Sequence, residues 1–419
     1  MEGKEEQVKL WNKNFFLLWQ GQMVSFLGNV IYTIALDFWI LDITGSTSLM
    51  GLLSAISMIP TLVIGPIAGV FVDKWDRKKI IVITDFVRGI FVTFVGIASL
   101  MGFIQVWMVF VVAILNGVCA AFFNPCINSV RPDIVDKSLI VKANSVTTLA
   151  QSGMDMLGSA IGGILYVTFG ATYMFLFNGI SFLFSAFTEL FLFIPKVKRE
   201  SKKLTFKEDF KEGFNFLWNL KILRNLVIAF SFINFFFNAA FILTLPYFKE
   251  TDFLGPERYG VAMAVISFSM IVGSILLSVK SIESDTRYKV FIMSSIVMAA
   301  CFPFITILSN YYVILALLFT AFFFNIILNT IFTSIIMMVI PDDKRGKVFS
   351  ILNTIMMSLS PIGMFLGGVL GDILSIRLAM TILLIIGSFS TLTILFIKDL
   401  KKLVNFDVEK NNVLEFINK

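Results

Sequence analysis

Long apolar stretches, each covering many helical turns and broken by short polar turns, follow one another from residue 14 to residue 397. Dividing the chain at the polar breaks predicts helices at 14–41, 47–72, 80–101, 104–129, 142–167, 171–194, 223–248, 258–281, 289–308, 311–340, 347–371 and 377–397. About 20 mostly apolar residues suffice to cross a bilayer, and a backbone in lipid must pair its own polar groups, which leaves the helix as the reading for runs of this length. The expected fold is therefore an all-α membrane protein with twelve transmembrane helices. The longest polar interval, 195–222, divides it into a first six-helix bundle over 1–194 and a second over 223–397, followed by a tail over 398–419.

Composition agrees with the pattern. Of the 419 residues, 57% are hydrophobic and 15% charged, and a mean hydropathy of +0.88 lies far from the balance of a soluble domain. The opening MEGKEEQVKLWNK has neither the short apolar core nor the small-residue cleavage site of a removable signal, so the first helix is expected to remain. Cys119, Cys126 and Cys301 all fall inside predicted helices and suggest neither a disulfide framework nor a metal cluster.

The net charge of +6 is explained by where the basic residues lie, and nucleic acid is not an expected partner. With both termini placed in the cytoplasm, the inner segments and their edges carry 30 of the 34 Lys and Arg residues, as the positive-inside rule requires. The chain is thus expected to be a multi-pass protein of the cell membrane. The basic linker over 195–222 reads either as an amphipathic segment on anionic lipid headgroups or as a solvated connector.

The two halves repeat one another at an offset of 205 to 210 residues, as in duplicated transporter folds. Gly158, Gly162 and Gly163 align with Gly363, Gly367 and Gly368, and Asp73, Arg77 and Lys79 with Glu283, Arg287 and Lys289. Asn29 and Asn116 likewise align with Asn238 and Asn325. The glycines form stripes that let helix backbones approach closely, and Pro361 adds a kink beside the second stripe.

Asp155 is the sharpest candidate for chemistry, because it lies 13 residues into the fifth predicted helix, about 20 Å along at 1.5 Å per residue. Gln151 and Ser159 share its face one turn to either side, so that face is expected to border a wet cavity. Two readings stand for Asp155: a proton-coupling or cation-recognising group, and a structural hydrogen bond or ion pair. Asp37 divides between proton coupling and interfacial solvation, since Asp42 follows five residues later. Glu189, Asp85 and Arg88 are expected to join Asp73 in an inner charge network. The chain has no His, so any proton relay falls to carboxylates.

Asn29, Asn116, Asn238 and Asn325 fall in predicted helices 1, 4, 7 and 10, where each can bond a neighbouring helix. Phenylalanines cluster at 230–241 and 322–324, where a lipophilic or cationic ligand can stack; lipid-facing filler is the alternative. An enzyme would need a nucleophile and base or a metal site, and no Ser-His, Cys-His or Glu-x-x-His arrangement occurs. No cofactor is expected, and a single-chain protein is.

The loop between the second and third helices, GVFVDKWDRKK, places Gly69, Asp73, Lys74, Arg77, Lys78 and Lys79 in a pattern that resembles the signature loop of the major facilitator superfamily. Asp76 stands where many members carry Gly. From Trp19 to about Lys398 the chain also resembles the macrolide-efflux-like branch of the drug:proton antiporters. That likeness rests on LDITGS from Leu41, Phe123-Asn124-Pro125, Ala143-Asn144, RGKVFS from Arg345 and Pro361-Ile362-Gly363. The resemblance implies two pseudo-symmetric bundles and alternating access, with a gating role for the loop. It also implies export of small amphipathic compounds, such as antibiotics or siderophores, in exchange for protons. Helices 1, 4, 7 and 10 line the central cavity in the superfamily, and that likeness implies that Asn29, Asn116, Asn238 and Asn325, with Gln151 on the face of Asp155, are candidate substrate hydrogen-bonders. The stripe around Gly158 is similar to the family's Gly-Pro-x-x-Gly-Gly antiporter motif, with Ser159 in place of Pro. The fourth helix reads AILNGVCAAFFNP, without the Arg that many drug antiporters carry there.

Overall fold

The computed structural model describes residues 10–195, 206–279, 282–341 and 345–406. Among these, eleven helices are long and apolar enough to cross a membrane. The longest, Ile140–Glu189, bends at Gly170 (φ 73°, ψ 172°), which divides it into stretches 140–169 and 171–189 and yields the twelve expected spans. The spans, numbered in chain order, are Lys13–Thr44, Thr47–Lys74, Arg77–Leu100, Val106–Ile134, 140–169, 171–189, Lys221–Phe241, Pro256–Val279, Ser284–Ile307, Tyr311–Val339, 345–373 and Ile376–Leu392.

Two spans depart from a single straight helix for reasons visible in their residues. Span 7 ends at Phe241, and a short helix Thr244–Glu250 continues it after a turn; Pro246 lacks an N–H and its ring opposes the carbonyl four residues earlier, which interrupts the ladder. Span 11 consists of Arg345–Ser358 and Ser360–Ile373, with Pro361 at the start of the second piece, the kink expected from its sequence.

Packing separates the chain into two units, one of residues 1–39 and 56–202 and another of residues 40–55 and 203–419. In the first unit span 1 is the spine. A Cβ on Gly158 would lie 2.8 Å from Val30 Cγ1, and Ile34 fills the same position against Gly162. Gly28 faces Ser181, and Gly21 faces Ser185. Residue numbers on span 5 therefore rise with those of span 1 while those on span 6 fall, so the chain reverses at Gly170. A positive φ with ψ near 180° is open almost only to glycine.

The second unit repeats the arrangement, with Gly363 against the Phe235 backbone and Gly367 against the Ala239 carbonyl, so span 11 lies on span 7 as span 5 lies on span 1. Its core joins Leu226, Phe230, Phe332, Ile336 and Leu352. The linker helix Phe206–Asn219 docks through Leu217, which belongs to this core; residues 196–205 of the linker and 407–419 of the tail lie outside the described residues. Residues 40–55, the turn between spans 1 and 2 with the helix ends on either side of it, also belong to the second unit. There the Asp372 carboxylate accepts hydrogen bonds from Thr47 N–H at 2.6 Å, Ser48 N–H at 3.1 Å, and the Ser46 and Thr47 hydroxyls at 2.7 and 2.8 Å. This is an N-cap for span 2 supplied from span 11. An Asp42–Lys249 ion pair adjoins it.

Candidate functional site

Each unit holds a cavity. In the first unit a space of about 420 Å³ opens between spans 1, 3, 4, 5 and 6. Its polar lining follows helical spacing on three elements: Gln22, Ser25 and Asn29 on span 1, Asn124, Asn128 and Arg131 on span 4, and Thr148 and Gln151 on span 5. Residues three, four and seven apart share a helix face, so each span turns a polar stripe to the cavity and its apolar remainder elsewhere. Arg131 donates to Asn144 Oδ1 at 2.8 Å.

Arg88 closes one side of this cavity. Its guanidinium lies 5.2 Å from the ring centre of Phe123 and 5.4 Å from that of Phe182, and all three line the cavity. A cation between two ring faces gains from both quadrupoles, about 0.5–2 kcal/mol for each contact. Behind it, Arg88 Nη1 stands 3.6 Å from Asp85 Oδ1, with Asp85 wholly buried. Glu189 is also wholly buried, and its Oε1 accepts a hydrogen bond from Ser185 at 3.2 Å. Asp85, Arg88 and Glu189 thus come together as expected, whereas the side chain of Asp73, the fourth expected member, lies outside the described residues.

In the second unit a cavity of about 280 Å³ is lined by Phe237, Phe241, Phe248, Phe302 and Phe322, with Asn234, Asn238 and Asn325 among them. Asn238 donates to Asn234 O at 2.8 Å and to Ser360 Oγ at 3.3 Å. Asn325 Oδ1 accepts from Asn329 at 3.1 Å. These amides are anchored by neighbours and still border the space.

Of the residues singled out from the sequence, Asn29 and Gln151 line the first cavity and Asn238 and Asn325 the second. Asn116 does not line the first cavity; its carbonyl accepts a long bond from Arg88 at 3.4 Å. Asp155 is half-buried one turn beyond Gln151, where the lining of that cavity ends. Asp37 is half-buried on span 1 and likewise not among the lining residues. Gln22, Asn124, Asn128, Arg131 and Asn234 were missed by the sequence reading. Their signal is the recurrence of polar residues at helical spacing inside apolar runs.

In the loop between spans 2 and 3, Asp76 caps span 3 by accepting from Lys79 N–H at 3.3 Å. Arg77 pairs with Asp133 at the end of span 4, 2.6 Å away, with both side chains nearly buried. Lys78 is half-buried and Lys79 exposed. A Cβ on Gly69 would meet nothing within 4 Å among the described residues. The repeat position of Arg77 is Arg287, which instead donates to Phe406 O at 3.0 Å. Gly163 and Gly368 are buried in their stripes with the other glycines.

A model of the Major Facilitator Superfamily matches residues 18–362 and 287–412. Macrolide efflux protein A of Streptococcus pyogenes is 24% identical over 379 residues, covering 88% of this chain and 91% of that protein. The multidrug efflux pump Tap of Mycolicibacterium fortuitum is 23% identical over 82% of this chain and 86% of its own. Among solved structures, the nucleoside transporter NupG aligns with a TM-score of 0.70 at 12% identity, covering 91% of this chain and 98% of the other. A bacterial homologue of the iron transporter ferroportin, in its inward-facing state, aligns at 0.67 and 15%, over 91% of this chain and 98% of its own.

Proposed function

The chain belongs to the major facilitator superfamily, and we propose that it is a secondary active transporter exporting small amphipathic compounds across the cell membrane by alternating access, in exchange for protons. The substrate class is of the drug, macrolide or siderophore type, and both termini face the cytoplasm. Relatives named for macrolide and multidrug efflux support that class. The observation that carries it is the aromatic cavity of the second unit, five phenyl rings with three amides between them. Apolar walls with a few convergent polar groups suit a lipophilic ligand carrying hydrogen-bonding substituents.

In this reading Asn238 and Asn325, with Asn29 and Gln151 of the first unit, supply hydrogen bonds to substrate; Asn116, off the cavity lining, is not among them. Asp155 is the proposed proton carrier, with Asp37 as the second candidate. The loop motif from Gly69 to Lys79 gates, and the glycine stripes are sliding seams. Uncoupled facilitation is a second reading, favoured by the absence of any carboxylate from the lining of the first-unit cavity.

One experiment separates the two. Cells overexpressing the protein and cells lacking it are loaded with erythromycin, and intracellular accumulation is followed before and after a protonophore. Overexpression is expected to lower accumulation, and both the protonophore and Asp155→Asn are expected to abolish that difference. Efflux that continues unchanged after collapse of the gradient would exclude proton exchange, and equal accumulation of erythromycin and a wider set of lipophilic drugs in both strains would exclude export of this class.

A further inference from the structure

The buried charges behind the first-unit cavity do not balance. Asp85 and Glu189 are wholly buried and Arg88 is 7% exposed, so one guanidinium faces two carboxylates away from bulk solvent. Among the described residues, both oxygens of Asp85, Oε2 of Glu189 and Nε of Arg88 have no hydrogen-bond partner. A buried ion left uncompensated is strongly disfavoured, and so is a buried polar atom without a partner. One proton on the carboxylate pair cancels the surplus charge and supplies an O–H donor to one of these unpaired acceptors.

We propose that Asp85, Arg88 and Glu189 form a proton-binding site distinct from Asp155, in which the two carboxylates share one proton and exchange it with the cavity that Arg88 borders. The step is a simple transfer: a carboxylate takes H⁺ from hydronium in the cavity to become a carboxylic acid, and returns it to water in reverse. The proton belongs to the pair, as expected for acids this tightly coupled. Span 3 contributes Asp85 and Arg88, span 6 Ser185 and Glu189, and span 4 only the thiols of Cys119 and Cys126 and the amide of Asn116. Among the described residues Arg88 is the one cation acting on both carboxylates, with no second positive charge in the proton's place. On span 1 the facing position is Gly21, against Ser185.

Arg88 gives the site its route to transport. The same guanidinium stands 3.6 Å from the Asp85 carboxylate on one side and lines the cavity between Phe123 and Phe182 on the other. When the pair is protonated, Asp85 holds Arg88 less strongly and the cation is available to the cavity; deprotonation draws it back. Ligand in the cavity and proton on the pair thereby act on one group, which is the requirement for linkage between two binding events. This coupling role rests on the proton-exchange reading above, whereas occupancy of the pair by a proton does not.

Infrared difference spectra of the reconstituted full-length protein, recorded across a pH titration, test the site directly. The C=O stretch of a protonated carboxylic acid is expected near neutral pH in the native protein and in the double variant D37N/D155N, which leaves the cluster untouched, and is expected to vanish in Glu189→Gln. Absence of the band from D37N/D155N, or its persistence in both Glu189→Gln and Asp85→Asn, would overturn the proposal, and the first of these results does not depend on a cluster variant folding. In vesicles carrying an entrapped pH dye, protons moved per erythromycin are expected to fall to the passive leak in Glu189→Gln; a native ratio in that variant also overturns it. A native protein that moves no proton with erythromycin would remove the exchange reading, and the infrared band would still decide whether the pair binds a proton.

Discussion

Asp372 holds the start of span 2 through two backbone N–H groups and two hydroxyls. Truncating it leaves the first turn of that helix without its acceptor, and losses of N-cap groups typically cost about 0.5–2 kcal/mol. Asp372→Ala is expected to lower the thermal midpoint of the detergent-solubilised protein, and an unchanged midpoint would show that water replaces the cap at no cost. Thiol chemistry gives a second residue-level prediction. Cys119 and Cys126 are buried and Cys301 partly so, so a maleimide followed by mass spectrometry is expected to leave the first two unmodified until the protein is denatured. At this scale the sequence was legible where helical spacing carried the information. Asn29 and Gln151 share stripes with Ser25 and Thr148, and these stripes reach the cavity. It was not legible where partners are remote in sequence: nothing near Asp372 announces Thr47, 325 residues away, and Asn116 lies off the cavity lining, its backbone carbonyl accepting from Arg88.

Two glycines decide how whole elements run. Gly170 occupies backbone space closed to side-chain-bearing residues, so Gly170→Val is expected to destabilise the turn between spans 5 and 6 by about 1–3 kcal/mol, read as a lowered unfolding temperature. Gly367 lets span 11 rest on the Ala239 carbonyl. Gly367→Val forces the two helices apart, with a cost of about 1–3 kcal/mol from overpacking, while the same change at Gly69, where a Cβ would meet nothing within 4 Å among the described residues, is expected to leave the melting curve unmoved. Comparison of the two melting curves checks the contrast. Long apolar runs made the spans themselves readable, because the bilayer sets their length. Their interruptions were readable only in part: Pro361 and its kink were foreseen, whereas the turn before Pro246 was hidden inside an unbroken apolar run.

For the molecule as a whole, the distribution of Lys and Arg predicts both termini on the cytoplasmic side. Reporter domains fused to either end are expected to be active only where the cytoplasm is the compartment required, and opposite locations for the two ends would contradict an even number of crossings. The internal repeat made the duplicated plan legible, because glycine stripes at matching positions repeat the same packing of one helix on another. Charge partners proved less portable between the halves, since Arg77 pairs with Asp133 while Arg287 binds a backbone carbonyl. What no local pattern could reveal is that residues 40–55 take their neighbours from the second unit. A gene cut within the linker would therefore yield two incomplete polypeptides. The later fragment would lack the segment that Gly368 and Asp372 are shaped to receive, and adding a synthetic peptide of that segment should restore part of its heat resistance.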